Sequence, residues 1–440
     1  MSSAIRHHNV CIIGAGPCGL TTIRNLEKRG LDDLVCHEAS DEIGGLWAYN
    51  EDPQRPSVYD SAHIISSRRL SSFRDYPMPA DYPDFPSHRQ IFAYFEGYAD
   101  EFGLRRHIRF NSAVETADRV EGGGWRLTIA DADGIHEETA DHLIVASGHH
   151  RTPKMPALEG HFDGEQLHSA HYRSPEGFEG KRVLVVGAGN SACDIAAALS
   201  RISAHVSLSL RTPQYIVPKT VFGRPIDVQY AKLQKFPRFI RNSVLQYGLG
   251  LYLGPYERYS LPQPDERVLV THPTLNTDIL EQLTHGTVAT RRATVSAEGK
   301  TVHFADGSSG DFDTIIWATG YKTEFPFFKG GAFDWSDKTR LPLYMKMMPA
   351  EMDDVYFIGL IQPLGCIWAL ADLQAELVAH AVKGTWERPA DMTRRIEAEH
   401  AADAKRFRQT VRHAVEVDFH DYRNLMLGEI ARAAHGRPVA

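Results

Sequence analysis

The chain is short of cysteine, of excess positive charge and of long apolar runs, and each shortage removes a class of protein. Five cysteines in 440 residues cannot build a disulfide scaffold, and their odd number points to a reducing compartment. Lys and Arg number 48 against 56 Asp and Glu, a net charge of −8, so net charge gives no case for a nucleic-acid partner. Met1–His8 lacks the apolar stretch of a signal peptide. The segment that approaches membrane-span length, Val355–Leu373, is interrupted by Gly359, Gln362, Pro363, Gly365 and Asp372 and reads as strand, turn and helix. With 42% hydrophobic and 24% charged residues the composition is globular, and the length suits two domains. A cytoplasmic protein with no membrane partner is expected.

What is present is one pattern used twice. Asn9–Ile13 is a short apolar run, followed by Gly14-Ala-Gly16-Pro17-Cys-Gly19, a helical pattern to about Arg29, and a second run at Leu34–Glu38. Strand, glycine turn, helix and strand within about thirty residues make a βαβ unit, whose parallel strands need a crossover helix. The order returns 173 positions later: Arg182–Val186, Gly187-Ala-Gly189-Asn190-Ser191-Ala192, a helix over Ala192–Ser200 and a strand over Val206–Leu210. Trp125–Ala130, Leu143–Ala146, Val302–Phe304, Thr314–Trp317 and Val355–Leu360 read as further strands, and Cys366–Val382 as a helix. Pro153 and Pro156 suggest an extended linker.

These features predict an α/β protein with two Rossmann-like dinucleotide-binding domains, the smaller NADPH domain inserted into the FAD domain. The expected boundaries are 1–165 for the first part of the FAD domain and 166–324 for the NADPH domain, with a helical insertion over about 222–275. Residues 325–440 complete the FAD domain and add C-terminal helices.

In the first turn Gly14 makes the tight bend, Gly16 admits a pyrophosphate to the backbone, and Gly19 lets the helix approach the strand. The helix start offers free N–H groups and a positive dipole end to phosphate. Glu38 ends the second strand, 24 residues after Gly14, where an acid binds ribose hydroxyls. The second unit has no acid there but Arg211-Thr212, and a guanidinium can accept the 2′-phosphate that an acid would repel. The first site therefore suits FAD and the second NADPH, and two dinucleotides in one chain imply electron transfer between them.

With these motifs the chain resembles the flavin-containing monooxygenase family, class B flavoproteins that include the dimethylaniline-type N- and S-oxygenases. Gly44-Gly45-Leu46-Trp47 follows the first turn as in that family. The identifying stretch FxGxxxHxxx(F/Y) appears as Phe162, Gly164, His168 and Tyr172, and Ala318-Thr319-Gly320-Tyr321 follows the second turn in family order. The likeness runs from about residue 9 to 380.

The resemblance implies an NADPH-dependent monooxygenase that moves one oxygen atom of O2, through a C4a-hydroperoxyflavin, onto a soft nitrogen or sulfur of a small molecule. It places Leu46 and Trp47 along the flavin, and Arg211 with Thr212 on the NADPH 2′-phosphate. Gly187, Gly189, Ser191 and Asp194 fall in the second turn and its helix. Asn190 is the side chain expected near flavin and nicotinamide, with capping of the adjacent helix as its alternative role. Gln362 either faces the flavin or bonds within its turn. Asp194 is expected to satisfy a helix first turn rather than abstract a proton. The sister Baeyer–Villiger family usually carries tryptophan where this chain has Tyr172, so ketone oxidation is the alternative reaction. The remaining expected partners are the small-molecule substrate and O2, with a homodimer as the assembly to test.

One departure stands out. The family usually has a peroxide-holding asparagine eight residues before the Phe of a Phe-x-Asp-aromatic-Pro segment. Here that segment is Phe73-Arg-Asp75-Tyr76-Pro77, and the matching position is Ile65. Isoleucine cannot hydrogen-bond. Ser66 is the expected substitute, unless the intermediate is guarded differently.

Other features carry less. The 22 histidines include no HExxH, and His149-His150 and His168 with His171 lack partner ligands at metal spacing, so no metal is expected. The aromatic stretch from Tyr76 to Tyr98 reads mainly as core. A disulfide reductase would need CxxC or CxxxxC, which Cys11, Cys18, Cys36, Cys193 and Cys366 do not form. A non-catalytic nucleotide sensor is the minor alternative, excluded if NADPH is consumed when substrate is added.

Overall fold

In a parallel sheet covered on both sides, strands read as unbroken apolar runs, and Val10–Ile13 is such a run, buried at every position. The computed structural model describes residues 5–270 and 272–434. Met1–Ala4, half of the stretch read for a signal peptide, and the last six residues of the expected C-terminal part lie outside the described residues. The strand β1 spans Arg6–Ile13, and helix α1 (Pro17–Glu27) buries Leu20, Ile23 and Leu26 on one face. Strand β2 (Leu34–His37) pairs with β1 in parallel, Ile13 opposite His37. Helix α2 (His88–Glu101) begins in a capping box made by Ser87 and Gln90. It carries Tyr94, Phe95 and Tyr98 into the core, where that aromatic stretch was expected to lie. Strands β3 (Ile108–Arg109), β4 (Ala113–Arg119), β5 (Trp125–Asp131) and β6 (Gly134–Val145) complete the sheet, in the order β3-β2-β1-β6-β5-β4.

The expected strand at Leu143–Ala146 is only the end of β6. Its first half, Gly134–Ala140, pairs antiparallel with β5 and alternates in exposure, which hides it from a search for apolar runs.

After β6 the chain crosses to a second unit. Strands β7 (Glu159–Phe162), β8 (Glu165–His168), β9 (Arg182–Val186), helix α3 (Asn190–Leu199) and β10 (His205–Ser209) come first. The helical insertion contains α4 (Ile226–Lys232) and α5 (Arg238–Leu253), and it returns at Thr274–Leu275, which pairs with Ile216–Val217. Then follow β11 (Val288–Arg291), β12 (Thr294–Gly299), β13 (Thr301–Phe304), β14 (Ser309–Asp311) and β15 (Thr314–Trp317). The parallel sheet runs β11-β10-β9-β15-β8, and a side ribbon runs β14-β13-β12-β7. A boundary at 165/166 would therefore cut β8, and β7 before it already belongs to the second unit. The change of sheet comes earlier, beyond Thr152–Pro153, which itself pairs antiparallel with Tyr321–Lys322. The prolines mark the crossing; the motif that begins at Phe162 lies past it.

The chain then returns to the first unit. Strand β16 (Val355–Phe357) joins β6 in parallel, and helix α6 (Ile367–Val382) packs on α1. Asp372, buried within α6, accepts from Thr21 Oγ1 at 2.8 Å, Asn25 Nδ2 at 2.9 Å and Arg74 Nε at 2.6 Å. Burial opposes its charge, but these donors hold the carboxyl below its usual range. No helix among the described residues is long and apolar enough to cross a membrane.

Candidate active site

Both glycine turns lie at the carboxyl ends of parallel strands, the edge where open α/β sheets bind ligands. At the first, Gly14 has φ +100°, and a Cβ there would meet the Ala146 carbonyl at 2.9 Å. A Cβ on Gly19 would collide with the Gly14 carbonyl, so this glycine sets the approach of α1. Gly16 is different: the nearest atom to its would-be Cβ is the Gly45 Cα, 3.8 Å away. The two glycine segments run side by side, joined by Gly44 N–H donating to the Ala15 carbonyl at 3.0 Å. This is a backbone cradle that a side chain would fill.

Pro17 opens α1, whose first turn has no capping side chain and no acid, so its N–H groups stay available to an anion. Glu38 folds back onto the turn. Its Oε2 accepts from Ala15 N–H at 2.7 Å, and its Oε1 from the Ser40 N–H and hydroxyl, both at 2.9 Å. The acid is thus fixed beside the cradle with lone pairs to spare for a ribose. Trp47 stands edge-on to Trp368, centroids 5.5 Å apart, with Leu46 half-buried next to it. These residues fit a flavin dinucleotide.

At the second turn, a Cβ on Gly187 would strike the Ala318 carbonyl, while the space above Gly189 is open. Arg211 and Thr212 follow β10, exposed, and no carboxylate pairs with Arg211 among the described residues. Arg412, from the C-terminal segment, lies near enough for the two like charges to repel, which lowers its pKa beyond the effect of burial. Beside them a cleft of about 550 Å³ opens between Leu210, Pro213, Pro262 and Thr290–Arg292. An open turn and an unpaired guanidinium fit the 2′-phosphate end of NADPH, while Glu257, Asp265 and Asp306 on the wall of the cleft would repel that phosphate. A second cleft, around Gly122–Gly124 and Asp354, lies at the opposite, amino-terminal edge of the first sheet, away from both turns.

Side chains of the second turn reach outward. Asn190 sits at the first position of α3 but does not cap it; its Oδ1 accepts from Leu275 N–H at 2.9 Å, where the insertion returns. Asp194 does not serve the helix's first turn either. It accepts from the Tyr59 hydroxyl at 2.6 Å and from Asn276 Nδ2 at 2.5 Å, so one carboxylate joins the first unit, α3 and the insertion. Burial raises its pKa from the ordinary Asp value. Ser191 also lies within reach of the Tyr59 hydroxyl.

Ser66 is buried and shares a hydrogen bond of 2.8 Å with Ser71, so its hydroxyl already has a partner. The neighbouring Ser67 hydroxyl is buried and has none, while its N–H donates to Asp227 of α4 at 2.6 Å. Ile65 lies half-buried beside them. Gln362 is anchored through its N–H to the Val415 carbonyl at 2.7 Å, and its side chain reaches His149. Burial pushes His149 down to about 4 and His150 to about 3, so both are neutral near pH 7. The Nε2 of His149 is buried without a partner.

The identifying stretch straps the units together. His168 Nε2 donates to the Gly320 carbonyl at 3.1 Å. Arg173, directly after Tyr172, donates to the Asn50 carbonyl at 2.6 Å, Ala170 at 2.8 Å and Asp52 at 3.1 Å. Sequence reasoning missed Tyr59, Asn276, Asp227 and Arg173. Only Arg173 had a signal, its place beside the motif.

The chain is matched by the family described as flavin-binding monooxygenase-like over residues 7–438. Flavin-containing monooxygenase 5 of Homo sapiens is 33% identical over 437 residues, spanning 94% of this chain and 80% of that protein. The N-oxide-forming dimethylaniline monooxygenase 2 of Oryctolagus cuniculus is 31% identical over 455 residues, spanning 98% and 83%. Among solved structures, S-allyl-L-cysteine S-oxygenase from Allium sativum superposes with a TM-score of 0.71 at 24% identity, covering 98% of this chain and 90% of that one. An NADP+-bound cyclohexanone monooxygenase from Rhodococcus gives 0.70 at 19% identity, covering 99% and 100%. Both have the same fold of two nucleotide-binding units.

Proposed function

Because the chain belongs to the flavin-binding monooxygenase-like family, it is an FAD- and NADPH-dependent monooxygenase, and we propose that it oxygenates a soft nitrogen or sulfur of a small molecule with O2. The observation that carries this reading is that both glycine turns leave backbone open to a dinucleotide, Gly16 across from Gly45 and Gly189 with free space, while Asp194 beside the second turn is bonded to Tyr59 of the first unit. A second support is what the site lacks. All five cysteines are free, and burial raises the Cys11, Cys18, Cys36, Cys193 and Cys366 thiols, with Cys18 pushed up to about 12, so no dithiol chemistry competes.

The residues divide the work. Gly14 and Gly19 shape the turn so that Gly16, before the helix that Pro17 opens, would admit the FAD pyrophosphate, Glu38 would hold the ribose, and Gly45, Leu46 and Trp47 would form the wall along the ring. Gly187, Gly189 and Ser191 face the NADPH pyrophosphate, while Arg211 and Thr212 take its 2′-phosphate. Bound flavin, once reduced by NADPH, supplies the oxygen-transferring chemistry. The chain contributes a dry, oriented surround: Ile65 excludes water, Asn190 and the unpartnered Ser67 hydroxyl beside the already bonded Ser66 offer hydrogen bonds, and neutral His149 brings none of the charge that would draw water in. A carboxylate or thiolate nucleophile is not needed. The five free thiols suit a reducing, cytoplasmic setting.

The N-oxide-forming and S-oxygenating relatives and Tyr172 favour heteroatom oxidation; the shared fold with cyclohexanone monooxygenase favours ketone oxidation as the second reading. An NADPH-oxidation screen of amines, thioethers and ketones, with O2 uptake and product mass measured together, decides. N-oxide or sulfoxide formed one-for-one with NADPH is expected; ester product alone would replace the first reading with the second. NADPH untouched by every substrate would sink both.

A further inference from the structure

Arg211 and Gln362 belong to different units, yet an unbroken line of bonds joins the stretches around them. Gln214, just past Arg211-Thr212, donates through Nε2 to the His272 carbonyl. The His272 ring turns the other way, and its Nδ1 donates to Glu416 Oε1 at 3.3 Å. Glu416 stands opposite Gln362 in a short parallel pair, where the Gln362 N–H donates to the adjacent Val415 carbonyl at 2.7 Å. The Gln362 side chain then reaches His149. The line therefore runs from the stretch that suits the 2′-phosphate to the stretch that suits the flavin edge.

The middle of this line is a buried carboxylate, and burial makes it informative. Glu416 is 2% exposed and His272 7%. A charge so placed is costly unless its oxygens are met. His272 serves one oxygen, and His413, itself bonded to the Thr410 hydroxyl at 2.6 Å, lies 3.6 Å from the other. Apolar side chains of the same volume would be at least as stable here, so what the polar pair adds is a fixed register between two segments. One of them is the return of the insertion: Thr274 Oγ1 donates to the Ala188 carbonyl of the second glycine turn at 2.5 Å, and Leu275 N–H to Asn190. The other is the C-terminal segment, held to the insertion a second time by Arg408 on Glu266 at 3.1 Å. Arg412 on that segment lies close enough to Arg211 for their charges to repel, so an anion settling at Arg211 also draws this segment in.

On the assignment of the two turns given above, we propose that His272 and Glu416 are positioning residues that couple the two cofactor sites. The phosphate end of NADPH, on settling at Arg211-Thr212, orders the stretch to Gln214 and with it His272. Glu416 is bonded to that ring and paired in one register with Gln362, so Gln362 and His149 take their places at the flavin together. Neither His272 nor Glu416 needs to touch a cofactor. Coupling between two sites is reciprocal, so the state of the flavin also sets the hold on the phosphate.

The probe is 2′,5′-ADP, which carries the adenosine and its phosphates but no nicotinamide, so it can affect the flavin only through the protein. Added to the FAD-loaded enzyme, it should bind in a calorimeter and change the visible absorbance of the flavin. His272→Leu keeps the volume and removes the bond to Glu416. It should bind 2′,5′-ADP within about threefold of wild type, while the flavin response per bound ligand falls at least about fivefold, the lower end of typical coupling. His272→Asn, whose amide replaces Nδ1, should restore more than half of the response. Gln214→Met, at the other end of the line, should lose it as His272→Leu does while leaving Glu416 paired, so a folding defect in one variant does not decide the matter. Binding without a flavin response in the wild type would overturn the proposal. So would a response untouched by both His272→Leu and Gln214→Met, or one lost equally in His272→Asn. No binding at all would overturn the NADPH assignment, and the coupling with it.

Discussion

At the first glycine turn the chain crowds in from every side; at the second, one flank stays open. Gly16 faces Gly45 backbone to backbone, and Glu38 is already bonded to the turn it serves. Around Gly189 there is free space, and Arg211 waits unpaired at the edge. A dinucleotide wedged between two backbone segments leaves only if one of them moves. One held by an exposed guanidinium leaves by breaking surface contacts that water replaces. On the proposed assignment of the two turns, the same supersecondary unit would give FAD a lasting residence and NADPH an exchangeable berth.

The hardest challenge to this contrast lies within the first turn. Gly19→Ala drives a Cβ into the Gly14 carbonyl, a backbone clash expected to cost ~3 kcal/mol or more and to leave little folded protein. Gly16→Val meets no backbone within 3.5 Å by its first carbon but fills the cradle. Its melting temperature without FAD should stay near the wild-type apoprotein's, while bound flavin, read near 450 nm, falls below about a tenth of one per chain. Equal loss of folding in both variants would erase the distinction between packing and ligand glycine.

At the second turn, Arg211→Ala should raise the KM for NADPH about ten- to a hundredfold, the worth of a charge-assisted phosphate contact of about 1.5–3 kcal/mol. Flavin content and the KM for NADH should not change; an equal effect on NADH would remove the phosphate assignment. Acid should expose the crossing between the units. His149 and His150 titrate near 4 and 3 when folded but near 6.5 when unfolded. The unfolded chain therefore takes up protons first, and stability present above pH 6.5 is lost as pH falls toward 4. Melting temperature should drop over that window, and His150→Asn should flatten the slope. The smallest effect belongs to Tyr59→Phe, which removes one hydrogen bond to Asp194 and should cost on the order of 1.5 kcal/mol in urea unfolding.

What the sequence made legible was local. Arg182–Val186 and Thr314–Trp317 are strands to the residue, because buried parallel strands are uninterrupted apolar runs closed by glycine or a polar turn. The glycine turns were legible for the same reason: their geometry depends on neighbours in sequence. The first half of β6 was not, because half-exposed residues alternate there. Nor were the ties that assemble the site. Tyr59 and Asp194 are 135 positions apart, and Ser67 and Asp227 are 160 apart. No local pattern encodes such pairs. Ser66 was singled out for its place beside Ile65, but Ser71, five residues on, reaches its hydroxyl.

Thr152–Pro153 and Tyr321–Lys322, the two strands by which the chain leaves and re-enters the first unit, are hydrogen-bonded to each other. Mechanically that makes them a torsion strap. Sliding one strand along the other breaks their register, and pulling the units apart loads both strands at once. With the Tyr59–Asp194 and Arg173–Asn50 bonds, the strap holds the second unit against the first at three separate places, so no one of them bears the whole load.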